Sequence, residues 1–114
     1  MELLPDFRVE GCIFSFTNSL IDHVITSSER RRGATTLVLS KLEAHIARND
    51  PSYQGLTVDI EAARLVIEEI LKHPQRIVAG LKTIDIYGSQ GRAVRLHRET
   101  LEFQTFLEAT KATR

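Results

Sequence analysis

The chain has 114 residues, of which 42% are hydrophobic and 26% charged, with 15 Lys+Arg against 15 Asp+Glu. A chain of this size folds as one domain and buries roughly two-thirds of its unfolded surface, enough for a core without disulfide or metal staples. The balanced composition excludes intrinsic disorder, and zero net charge excludes avid nonspecific nucleic-acid binding while leaving room for local basic patches.

Residues 1–6, Met1-Glu2-Leu3-Leu4-Pro5-Asp6, carry neither the basic stretch nor the apolar run of a secretory signal. Residues 7–16 read as an extended segment, with Phe7, Val9, Ile13, Phe14 and Phe16 as β-formers and Gly11 as a bend. The single cysteine, Cys12, lies in this apolar stretch, reads as a buried inert thiol, and cannot form an internal disulfide. No apolar run approaches the roughly 20 residues of a membrane span, so a cytoplasmic protein without membrane association is expected.

Thr17-Asn18-Ser19 offers helix caps, and Leu20, Ile21, Val24 and Ile25 give a helix over residues 20–31 that Gly33 interrupts. Arg30-Arg31-Arg32 reads as a solvated helix end or a phosphate-tracking patch. Thr35 or Thr36 caps a second helix through Arg48, burying Val38, Leu39, Leu42 and Ile46 and leaving His45 on the surface. Pro51 stops helix formation at Asp50. Thr57 or Asp59 caps a third helix with Ile60, Ala63, Ile67, Ile70 and Leu71 at helical spacing. Lys72 and His73 complement its dipole, and Pro74 closes it.

After Pro74 the apolar period changes from helical to alternating. Strands are expected from Ile77, over residues 83–87, over 92–97 and over 102–107, with Gly88-Ser89-Gln90-Gly91 as a turn and residues 108–114 as a frayed polar tail. Parity places Ile84, Ile86, Val94 and Leu96 on a buried face. The reverse, wet face would carry Asp85, Tyr87, Arg95 and His97, with Gln104 and Phe106 alongside, while Phe103, Thr105 and Leu107 share the other side. The fold class is therefore α+β: N-terminal helices, with room for one short leading strand, packed on one face of a C-terminal antiparallel β-meander of three to four strands. The helical half covers residues 17–73 and the meander residues 76–107 of a single domain.

The wet face suggests chemistry. His97 beside Arg95 offers an acid or base next to an anion-stabilising cation, the pairing that metal-free RNA cleavage needs. Cross-strand Asp85–Arg95 pairing on a solvated face is the alternative reading. His97, Arg98, Glu99 and Thr100 place polar groups in a connection and read as turn residues or substrate contacts. The four histidines lack metal-ligand spacing, and no Walker A loop, dinucleotide fingerprint, G-x-S-x-G or H-E-x-x-H is present, so neither metal nor cofactor is expected.

The pattern of Glu69-Ile70-Leu71-Lys72-His73-Pro74, Ile84-Asp85-Ile86-Tyr87, Gly91-Arg92-Ala93-Val94-Arg95, Arg98-Glu99-Thr100 and Glu102-Phe103-Gln104-Thr105-Phe106-Leu107-Glu108 resembles the small ribonuclease toxin domains of the barnase–EndoU–colicin–RelE group. These recur in bacterial polymorphic and contact-dependent toxins. The resemblance covers about the last 50 residues. It implies a metal-independent ribonuclease acting on RNA such as tRNA, with His23 supplying the histidine of an early helix. Tyr87, Arg92, Arg95, His97 and Thr105 would be the sheet residues, and Arg92, Arg98, Thr100 and Gln104 would bind substrate. Leu101 stands where a turn glycine is common in the group. The second reading is a non-catalytic interaction module: an immunity protein, antitoxin or phage-encoded inhibitor. A cognate immunity protein or antitoxin would be a partner of the enzyme itself. A homodimer joined through the helices or the final strand edge is a third possibility.

Overall fold

The computed structural model describes residues 17–89 and 91–108. The extended segment expected at residues 7–16, its Cys12, turn residue Gln90 and the tail after Glu108 lie outside the described residues. Helix α1 spans Asn18–Ser28, capped by Thr17, whose hydroxyl accepts from the Leu20 N–H at 3.2 Å. It ends before the expected Arg31. The Ser27 and Ser28 hydroxyls donate back to the carbonyls of Val24 and Ile25, a local bonding pattern that competes with helix propagation. The basic run is thus not a helix end: strand β1, Arg31–Arg32, pairs antiparallel with β2, Thr35–Thr36, across Gly33 at φ 65°.

Thr36 caps α2, Leu37–Ala47, by accepting from the Leu39 N–H, and Asn49 follows the helix in the left-handed region at φ 60°. A 3₁₀ turn over Pro51–Tyr53 is capped by Asp50. Helix α3, Ile60–Lys72, is capped by Asp59, which accepts from the Ala62 N–H at 2.8 Å, and buries Ala63, Val66, Ile67, Ile70 and Leu71. The Thr57 hydroxyl and the Ala62 N–H hold the Asp59 carboxyl below its ordinary value.

The C-terminal half is a four-stranded antiparallel meander in the order β3-β4-β5-β6: Arg76–Ala79, Thr83–Tyr87, Arg92–His97 and Phe103–Glu108. The three helices cover one face, where Ile84, Ile86, Val94 and Leu96 are buried as their alternation requires. Gly88 lets α3 approach the sheet, since a Cβ there would lie 3.0 Å from Ile70 Cγ1.

Strand β6 departs from simple alternation. Val94 pairs with Phe106 and Arg95 with Thr105, but Leu96 pairs with Phe103, so Gln104 is the extra residue of a bulge. One inserted residue reverses the parity. Phe103 and Phe106 therefore both enter the core, with ring centroids 5.1 Å apart, while Thr105 and Leu107 fall on the face opposite the helices. This corrects the expected grouping of Phe103 with Thr105 and of Phe106 with Gln104.

The outer face is also drier than alternation suggests: Asp85 is 9% exposed, Tyr87 6% and Ala93 0%. The edge of β6 is engaged as well. The Phe103 N–H donates to the Ser27 hydroxyl at 2.9 Å, and the Phe106 carbonyl accepts from His45 Nε2 at 3.0 Å. The helices thus occupy two of the edge groups that a homodimer joined through the final strand, one of its two possible routes, would use.

Candidate functional site

In a meander, alternate turns lie at the same end of the sheet. The β3–β4 turn, with Leu81 and Lys82, therefore sits beside the β5–β6 turn, with Arg98, Glu99 and Thr100. The Arg98 N–H donates to the Lys82 carbonyl at 2.9 Å, and Arg98 Nη1 donates to the Gly80 carbonyl at 2.6 Å. The β5–β6 turn closes on itself: the Leu101 N–H donates to the His97 carbonyl at 2.7 Å and the His97 N–H to the Glu102 carbonyl at 2.9 Å. Leu101 makes this turn at φ 59° with its side chain in the core, taking a conformation that an L-residue rarely adopts.

Between the turns and the end of the α1 segment lies an open cleft of about 880 Å³. Arg30, Lys82 and Arg98 bring cations to it, Glu99 and Glu102 bring carboxylates, and His97 and Thr100 bring an imidazole and a hydroxyl. Leu81, 96% exposed, stands at its rim. Arg30 Nη1 is 3.7 Å from Glu102 Oε1, an exposed pair that an incoming anion can displace at little cost. Arg98 spends one of its five N–H donors on Gly80 and keeps others for a ligand.

The structure thus brings together three of the residues expected from sequence, His97, Arg98 and Thr100, with a fourth attached: His23 Nε2 lies 2.8 Å from the Thr100 carbonyl. The other five lie elsewhere. Arg95 grips Asp85 with both arms of its guanidinium, Nε to Oδ1 at 2.7 Å and Nη2 to Oδ2 at 2.9 Å, and this hydrogen bonding raises its pKa. Tyr87 lies under Arg76, whose Cζ is 5.3 Å from the ring centroid; burial, reinforced by the Asp85 carboxylate, pushes its phenol up. Arg92, at the opposite end of β5 from His97, donates from Nε to the Ser52 carbonyl at 2.7 Å and stacks 5.9 Å from the Tyr53 ring. Gln104 is the half-buried bulge residue of β6. Thr105 does share a face with Arg95, and its hydroxyl donates to the Phe106 carbonyl at 3.2 Å.

Lys82 and Glu102 were not among the expected site residues, while Arg30 was expected only as part of a basic run and Glu99 only as a polar group of the β5–β6 connection. The signal for Lys82 was topological: a turn one hairpin away from the β5–β6 connection shares its end of the sheet. His45 was expected on the surface and is buried instead, at 4% exposure. Its Nδ1 meets Asp50 Oδ2 at 2.9 Å and its Nε2 the Phe106 carbonyl, with the Tyr53 ring 4.7 Å away. Every buried side-chain polar atom among the described residues has a partner, so this second cluster reads as a structural network.

Among the described residues no group of His, Cys, Asp and Glu is placed to hold a metal, and no helix is long and apolar enough to cross a membrane. No family model, curated protein or solved structure matches the chain, so the chemistry of the cleft has to be read from its own side chains.

Proposed function

We propose that the chain is a metal-independent endoribonuclease of bacterial toxin type, acting on cytoplasmic RNA such as tRNA, with the turn-end cleft as its site. One observation carries the reading: the convergence of the His97 imidazole with Arg30, Lys82 and Arg98 around a single cleft. RNA self-cleavage requires the 2′-oxygen to attack the adjacent phosphorus while the P–O5′ bond breaks. A base takes the 2′-proton, an acid returns one to the leaving 5′-oxygen, and cations stabilise the pentavalent phosphorus between them. A carboxylate, Glu99 or Glu102, suits the base, and a protonated His97 suits the acid. The cation role passes to Arg30, Lys82 and Arg98, because Arg95 and Arg92 are engaged with Asp85 and Ser52. The products are a 2′,3′-cyclic phosphate and a 5′-hydroxyl.

The test is incubation of the purified protein with total tRNA and rRNA in excess chelator. Cleavage leaving cyclic phosphate ends is expected, and His97→Ala should lower the rate by about 10²-fold or more. Intact RNA after incubation with wild type would sink the proposal.

The bidentate Asp85–Arg95 pair favours a second reading. It removes a cation from the sheet face, as a non-catalytic interaction module such as an immunity protein, antitoxin or phage-encoded inhibitor would allow. Absence of cleavage, together with a stoichiometric protein partner on co-purification, would decide for that reading.

A further inference from the structure

The resemblance assigns His23 to the chemistry, but its geometry points elsewhere. His23 is exposed, lies outside the residues lining the cleft, and has Nε2 at 2.8 Å from the Thr100 carbonyl oxygen. A carbonyl has no proton to give, so Nε2 must carry the hydrogen and donate it. That nitrogen is therefore committed to the backbone of the turn.

One helical turn further along α1, on the same face, the Ser27 hydroxyl accepts from the Phe103 N–H at 2.9 Å. The two bonds grip the chain on either side of Leu101, the residue at φ 59°. The Arg98 bonds to Gly80 and Lys82 fix the opposite end of the same turn. Arg98, Glu99 and Thr100, the cleft-lining residues of this turn, are thus suspended between α1 and the β3–β4 turn.

We infer that His23 is a positioning residue, which sets the β5–β6 turn through its Nε2–H bond to Thr100 and takes no part in proton transfer. The clamp follows from the hydrogen bonds alone; its consequence for catalysis rests on the ribonuclease reading. Glutamine can present an N–H near the position of histidine Nε2 but cannot act as acid or base at neutral pH, whereas alanine can do neither.

The experiment compares wild type, His23→Gln and His23→Ala by amide hydrogen exchange at Leu101 and Phe103 and by RNA cleavage kinetics. In His23→Ala, exchange at both amides should quicken several-fold and KM should rise more than kcat falls. In His23→Gln both readouts should return towards wild type. Unchanged exchange in His23→Ala overturns the clamp. A His23→Gln protein with restored protection but no cleavage overturns the exclusion from proton transfer, making His23 a catalytic residue. A wild type that leaves RNA intact ends the ribonuclease reading and with it the catalytic consequence, while the exchange data still decide the clamp.

Discussion

Leu101 carries a positive φ of 59° and a side chain only 2% exposed. Glycine would satisfy the backbone and forfeit the burial; leucine does the reverse. The left-handed conformation costs an L-residue roughly 1–2 kcal/mol, whereas losing a buried leucine side chain costs about 2–5 kcal/mol. Burial wins, which explains a leucine at a backbone position that by its φ alone would favour glycine. Leu101→Ala keeps the backbone strain and loses the packing, while Leu101→Gly loses the packing but relieves the strain. Urea unfolding should therefore rank wild type above Leu101→Gly and Leu101→Gly above Leu101→Ala, the last two separated by about 1 kcal/mol. At the same scale, Asp85 fixes what Arg95 is available for. A guanidinium held at two points in a half-buried pair is a poor candidate for phosphate, although both residues stand in the strands where the sequence placed them.

At the scale of elements, the helices are fastened to β6 by side chains. His45 of α2 spans from Asp50, ahead of the 3₁₀ turn, to the Phe106 carbonyl. Asp50 also accepts from the Ser52 N–H at 3.1 Å, so its carboxylate serves the histidine and the turn together. Replacing His45 with alanine leaves the buried carboxylate short of a donor, leaves the Phe106 carbonyl without the imidazole, and opens a cavity beside Tyr53 and Phe106. A loss of about 3 kcal/mol is expected from these terms, read as a lower denaturation midpoint with an unchanged m-value. A cost under about 1 kcal/mol would mean that the network is dispensable. The bulge at Gln104 belongs to this scale too, because it turns both Phe103 and Phe106 towards the helices that His45 and Ser27 anchor.

Across the whole molecule, Tyr53 ties the helical layer to the sheet. Its hydroxyl donates to the Leu107 carbonyl at 2.7 Å and accepts from the Ala93 N–H at 3.3 Å. Burial raises its phenol far above the ordinary 10.0, overriding the opposing backbone bond to Ala93. A folded value above the unfolded one means that this contribution is complete below the unfolded value and is lost as pH rises through the folded one. Stability should therefore decline in the alkaline range above about pH 10. Tyr53→Phe should be less stable at neutral pH by about 1–2 kcal/mol and show a shallower alkaline decline. An identical alkaline profile for the two proteins would rule out Tyr53 as its source. The sequence by itself determined the three helices, a short choice of caps for each, the change to β structure after Pro74, and the buried row Ile84, Ile86, Val94 and Leu96. Those features follow from periodicity and capping, which are set within a few residues. It also held His97, Arg98 and Thr100 as candidates, because reactive and charged types can be seen in any context. The burial of His45, the reversal of β6, the commitment of Arg95 to Asp85 and the arrival of Arg30 and Lys82 beside His97 were decided by the tertiary structure. Each depends on a partner in another element: Phe106 for His45, the register with β5 for the bulge, and the stacking of alternate turns for the cleft.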